Sequence, residues 1–166
     1  VRVFKGRKFE VLVERKSLPN GDETEIEFIH HRGSAVVVPM LSSEEVVVIR
    51  QYRPVVGKWL YEFPAGTVEE GESPVQTAIR ELKEETGYNA EELQQLIAFY
   101  PSPGVSDELM YVFLARRLRV GESKPEKHEL IEVNKLNINE LYGMLNRGLL
   151  NDAKTILALF LLRSKM

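Results

Sequence analysis

The sequence predicts an α/β protein, a mixed sheet with helices packed on its faces. Three observations lead there: β-branched runs of the kind buried on both sides of a sheet, one segment carrying helix start and stop signals, and an order of strands, one helix, strands, then helices. No strand-helix repeat of a doubly wound fold is present. With 166 residues, 43% of them hydrophobic, the chain can bury one core and carry a small appendage.

The first 32 residues hold two alternating stretches, KFEVLVERKSL and ETEIEFIHH, separated by PNGD. Asn20-Gly21 is a strong turn signal, so an antiparallel β-hairpin is predicted. SAVVVPML and EEVVVIRQY follow as strands buried on both faces, and RPVVGKWLYEFPAG, punctuated by Pro and Gly, reads as a loop with a short strand. Ser73-Pro74-Val75-Gln76 matches a capping box with proline at the first helical position, and Gly87 suits a left-handed cap, so a helix runs from Pro74 to Gly87. Its apolar stripe is expected on Val75, Ala78, Ile79 and Leu82. Beyond it, LQQLIAFYPSPG and MYVFLARRL are strands around a proline-bearing loop, GESKPEKHE is a charged loop, and LIEVNKLN is another strand. INELYGMLNRGL and NDAKTILALFLLRSKM are helices.

A net charge of -3 with interspersed signs gives no basic stripe, so nucleic acid is not expected as a partner. The absence of cysteine excludes disulfides, zinc-thiolate sites and thiol nucleophiles. The longest apolar runs are too short to cross a bilayer, and a cytoplasmic protein is expected.

Glu81, Glu84 and Glu85 fall within one helical turn, and Glu81 and Glu85, at i and i+4, point the same way. Carboxylates near a helix carboxyl end oppose its dipole at a cost of roughly 0.3–1 kcal/mol each, so a positive partner is needed there. A hard divalent cation with oxygen ligands is the natural candidate, with the backbone of Pro64-Ala65-Gly66 as a further donor and Arg80 as an orienting fork. A solvated acidic surface is the competing explanation.

The spacing Gly66, five residues, Glu72, seven residues, Arg80-Glu81-Leu82, one residue, Glu84-Glu85, one residue, Gly87 resembles the Nudix box of hydrolases that cleave nucleoside diphosphates linked to another group. Tyr88 stands where an aliphatic residue is more usual in that family. The resemblance implies an α/β/α sandwich with a central mixed sheet. It further implies Mg²⁺ or Mn²⁺, more than one ion, held by Glu81, Glu85, Glu84 and the Ala65 carbonyl, with Arg80 orienting the glutamates and Glu72 bracing the loop. Outside the box, QYR, E-PAG and SPG resemble the ADP-ribose pyrophosphatase branch, which implies Mg²⁺-dependent hydrolysis of ADP-ribose to AMP and ribose 5-phosphate. On that resemblance Arg53 and Glu62 contact the substrate, Pro103 and Gly104 lie in the branch's characteristic loop, and KPEKHELIEV delivers a general base, Glu129 or else Glu126. Members of the branch are usually homodimers whose amino-terminal strands help build the nucleoside pocket. Residues 1–32 are therefore expected to serve dimerisation and the pocket, with Phe9 or Phe28 stacking on adenine and Arg32 touching a phosphate, and residues 33–166 to form the hydrolase domain. Another nucleoside diphosphate derivative as substrate, or a ligand-sensing module without turnover, are the alternatives.

Overall fold

The β-branched runs become two neighbouring strands whose alternate side chains feed two different cores. In the computed structural model, which describes residues 1–124 and 129–164, β1 (Arg2–Lys5), β2 (Phe9–Ser17) and β3 (Glu23–His31) form an antiparallel sheet in the order β1-β2-β3. The expected hairpin is β2 and β3; the third strand arises because Arg2–Lys5 pairs back along β2, bringing the Phe4 and Phe9 rings to 6.0 Å.

The central layer consists of two sheets. β4 (Ser34–Pro39), β7 (Ala65–Thr67), β8 (Tyr88–Phe99) and β9 (Met110–Val120) are ordered β7-β4-β9-β8, with β4 and β9 parallel and the other pairs antiparallel. β5 (Glu45–Arg53), β6 (Lys58–Glu62) and β10 (Ile131–Asn137) are ordered β10-β5-β6, all antiparallel. A bridge between Met40 and Val46 links the two where β4 turns into β5. β8 starts at Tyr88, earlier than the polar Asn89–Glu92 stretch suggests, because the chain pairs with β9 directly after the helix cap at Gly87.

Helices cover both faces. Val36, Val38, Val46 and Val48 pack with α2 (Ile138–Asn146) and α3 (Ala153–Arg163) through Leu141, Ala158 and Leu159, all buried. Ala35, Val37 and Val47 face the opposite way, onto Ala78 and Leu82 of α1 (Pro74–Thr86). The result is an α/β/α sandwich with the mixed sheet at its centre. Burial on both faces explains why these strands read as continuous Val and Ile runs and not as alternating ones. The amino-terminal sheet docks on the loop after β8: the Ile29 N–H donates to Val105 O at 2.8 Å and the Asp107 N–H to Ile29 O at 3.2 Å. Among the described residues no helix is long and apolar enough to cross a membrane.

Candidate active site

α1 begins and ends as its capping signals require. Ser73 Oγ accepts from the Gln76 N–H, the Gln76 side chain returns the bond to Ser73, and Gly87 takes a left-handed φ of 77°. An N-cap of this kind is worth about 1 kcal/mol. Which side of the helix faces inward differs from the expected stripe. Ala78 and Leu82 are buried, but Val75 and Ile79 are exposed, and Thr77, Glu85 and Thr86 are buried in their place. The helix is rotated so that Glu81 and Glu85 lie against β7, and the apolar side chains on the other edge of the stripe are turned out.

Arg80 organises the carboxylates. Its Nε and Nη2 donate to the two oxygens of Glu72 at 2.9 and 3.0 Å, Nη2 also reaches the Thr67 carbonyl at 3.1 Å, and Nη1 donates to Glu81 at 2.7 Å and Glu84 at 3.3 Å. Thr77 Oγ1 and the Glu69 N–H add to Glu72 at 2.7 and 3.1 Å. The Arg80 bond, outweighing partial burial, holds the Glu72 carboxyl down at about 2. Glu72 thus braces the loop between β7 and α1.

Glu81 and Glu85 are strained in the opposite sense. Burial pushes the Glu81 carboxyl up to about 6 against the pull of Arg80, with Glu84 and Glu129 adding to the rise. Burial, then the charge of Glu81, drives Glu85 well above the usual range, although its Oε2 accepts from the Ala65 N–H at 2.9 Å. Gly66 makes the approach possible: a Cβ there would stand 1.7 Å from Glu81 Oε1. Two like-charged, desolvated carboxylates beside a backbone with no side chain in the way fit a hard divalent cation, which would remove the repulsion. Glu84 and the Ala65 backbone adjoin the pair. Arg80 pairs with Glu81 at 2.7 Å and with Glu84 at 3.3 Å, which fixes the directions of both carboxylates beside Glu85.

These groups open into a cavity of about 440 Å³, lined by Ala65, Gly66, Arg80, Glu81 and Glu84 on one side and by Arg53, Lys154 and Glu129 on another. The loop leading to Glu129 is tied to the end of α1, with Ser123 Oγ and the Lys124 N–H donating to the Glu84 carbonyl at 2.8 and 3.0 Å. Glu126 lies outside the described residues. Arg53 is held by Glu62 in a two-point ion pair, Nε at 2.8 Å and Nη2 at 2.6 Å. Glu62 is only 1% exposed and does not line the cavity; it also accepts from Lys154, whose Nζ bonds Asp152 Oδ1 at 2.7 Å. Burial alone would raise the Glu62 carboxyl, but Arg53 and Lys154 bring it below the ordinary range.

The remaining expected contacts are divided between two places. Arg32 lines the main cavity, whereas Phe28, Pro103 and Gly104 line a separate depression of about 360 Å³ with Lys16 and Tyr100, and Phe9 packs on Phe4. His30 and His31 latch β3 to the β8–β9 loop: His30 Nδ1 pairs with Asp107 at 2.6 Å and the His31 N–H donates to the same carboxylate at 2.8 Å. Sequence reasoning missed Lys154, Arg7 and Lys8, which also line the cavity. The signal for Lys154 was NDAK, an N-cap placing a lysine in the first turn of a helix; that for the other two was Gly6-Arg7-Lys8, a turn before a strand.

The sequence profile of the NUDIX domain matches residues 30–160. The chain is 37% identical to an ADP-ribose pyrophosphatase of Bacillus subtilis (strain 168), over 99% of this chain and 90% of that protein. It is 34% identical to a methanol dehydrogenase activator of Bacillus methanolicus, over 95% of this chain and 86% of that one. The crystal structure of an ADP compounds hydrolase superposes with a TM-score of 0.83 at 25% identity, covering 99% of this chain and 89% of the other.

Two outcomes are expected of this geometry. Gly66→Ala should force the Glu81 side chain out of place, since a Cβ would stand 1.7 Å from its Oε1, 2.1 Å from its Cδ and 2.8 Å from its Cγ, and weaken Mg²⁺ binding by about tenfold or more in calorimetry; unchanged affinity would remove Glu81 from the cation site. Glu72→Gln should lower Tm by a few degrees at pH 7. Because the folded carboxyl titrates near 2 and the ordinary one near 4.5, that stabilisation is full above about 4.5 and fades as pH falls toward 2. A melting difference that persists unchanged at pH 2 would contradict the Arg80–Glu72 assignment.

Proposed function

The chain belongs to the Nudix family, and on that premise we propose that it hydrolyses ADP-ribose to AMP and ribose 5-phosphate, with Mg²⁺ or Mn²⁺ as cofactor and more than one ion engaged. The observation that carries this reading is the Glu81–Glu85 pair beside Ala65, buried Glu85 lying behind a cavity that Glu81, Glu84 and Arg53 line. The near full-length likeness to the Bacillus subtilis enzyme supports the choice of substrate.

When bound, the cations supply neutralisation of the diphosphate and a water of lowered pKa. Glu81, Glu84, Glu85 and the Ala65 carbonyl would hold them. Arg80, positioned by Glu72 and the Thr67 carbonyl, sets the directions of Glu81 and Glu84. Glu129, in the cavity lining, takes the proton of the attacking water. The phosphorus–oxygen bond of the diphosphate bridge breaks as the water oxygen adds, and one phosphate leaves with each nucleoside or sugar fragment. Arg53 faces the diphosphate; Glu62 acts through it, as a buried carboxylate that keeps the guanidinium plane fixed. Phe9 or Phe28, with Pro103 and Gly104, belong to adenosine recognition in the assembled protein.

We assign residues 1–32 to dimerisation and to the substrate pocket, and residues 33–166 to the hydrolase. Val1, Val3 and Phe4 of the amino-terminal sheet are exposed, an apolar surface that a second copy would cover.

Hydrolysis of ADP-ribose, ADP-sugars, UDP-sugars, dinucleoside polyphosphates and nucleoside triphosphates should be compared with Mg²⁺ present. ADP-ribose is expected to give the highest kcat/KM, with AMP and ribose 5-phosphate in equal amounts, and Glu129→Gln to lower kcat by about 10²-fold or more. A clear preference for another compound would refute the substrate, and a near-normal Glu129→Gln rate the base. Sedimentation in dilute solution should show a dimer; an active monomer would refute the shared pocket.

A further inference from the structure

Six cationic side chains line the catalytic cavity, and they fall into two groups. Arg53, Arg80 and Lys154 are each in ion pairs with carboxylates of the hydrolase core. Arg7, Lys8 and Arg32 are different. Among the described residues none of them has a carboxylate within ion-pair distance, and each side chain is exposed at the cavity mouth.

Their placement is built into the amino-terminal sheet. Arg7 and Lys8 are the two central residues of the β1–β2 turn, closed by a bond from the Gly6 N–H to the Phe9 carbonyl at 2.9 Å. Gly6 sits tightly in that turn, since a Cβ would approach Phe4 Cε1 to 3.0 Å and Phe9 O to 3.1 Å. The Phe4 and Phe9 rings pack together at its base. Arg32, just beyond β3, reaches the Arg7 carbonyl at 3.5 Å, joining both ends of the sheet at one point. Of the carboxylates in the same lining, Glu108 accepts from Ser34 and lies 3.6 Å from His31, and Glu69 and Glu129 line the cavity without coming within ion-pair distance of Arg7, Lys8 or Arg32.

Three positive charges at one cavity mouth, none with a carboxylate within ion-pair distance among the described residues, repel one another, and an anion relieves that repulsion. On the function proposed above, the scissile diphosphate would meet Arg53 and the cations that Glu81 and Glu85 would hold. We propose that Arg7, Lys8 and Arg32 form a second phosphate subsite, and that the protein takes nucleoside diphosphate sugars bearing one further phosphate monoester. This rests on the function proposed above and extends its substrate class.

The test compares ligands that differ by one phosphate monoester and need no turnover. Calorimetry of the full chain is run with AMP against adenosine 2′,5′- and 3′,5′-bisphosphate, and with ribose 5-phosphate against ribose 1,5-bisphosphate. At least one bisphosphate is expected to bind about tenfold or more tightly than its parent, the scale of one added charge-assisted contact. In Arg7→Ala/Lys8→Ala, a change confined to an exposed turn, that gap should shrink to within about twofold, and Arg32→Gln should narrow it in part. The proposal is overturned if no bisphosphate exceeds its parent by more than twofold, or if the double variant weakens parent and bisphosphate by the same factor, which would mark the cations as a general field. Since binding is read directly, a protein that ignored ADP-ribose would still reveal the subsite, and one that hydrolysed ADP-ribose could still lack it.

Discussion

The Arg80 guanidinium stands among Glu72, Glu81, Glu84 and the Thr67 carbonyl, and its five donors are what allow acidic groups from a loop and a helix to share one small volume. Lysine could not replace it, because a point charge has no rigid fork to span Glu72 and turn toward Glu81 at once. Through this group β7, the connecting loop and α1 behave as one block. The position of Glu85 follows from the same block, since its carboxylate is set against the Ala65 N–H only when the helix lies at this rotation.

That rotation has a cost visible in the packing. Turning Glu81 and Glu85 toward β7 leaves Val75 and Ile79 exposed, an arrangement that stability alone would not select. The sheet beneath compensates through strands buried on both faces. Val36, Val37 and Val38 are fully inaccessible, and burying a side chain of this size contributes roughly 1.5–3 kcal/mol. A firm two-sided core thus supports a helix whose inner face is partly acidic.

Much of this was legible in the chain because it is local. Ser73, Gln76 and Gly87 declare the ends of α1 through bonds to residues three or four positions away, and the Val runs of β4 and β5 declare burial without any partner being known. The spacing from Gly66 to Gly87 carried the carboxylate site in the same way. Other features depend on groups distant in sequence. The stripe of Val75 and Ile79 misled because periodicity records which residues are apolar, and here a charged network decided the rotation. Glu62 read as a ligand contact since its burial under Arg53 depends on Lys154, and Arg7 and Lys8 went unmarked since only the docked sheet carries them to the cavity. The third amino-terminal strand was hidden for a similar reason: Arg2–Lys5 is too short to show a period.

The bonds from Lys154 to Glu62 and from the Phe63 N–H to Thr155 Oγ1, 2.9 Å, each join residues 92 positions apart. Closing so long a loop is entropically slow compared with forming the α1 caps. Arg53 is held by Glu62 on the neighbouring strand, and α3 completes that arrangement by bringing Lys154 onto the same carboxylate. The wall that holds Arg53 thus depends on contacts distant in sequence, whereas the carboxylate helix carries its end signals within its own segment.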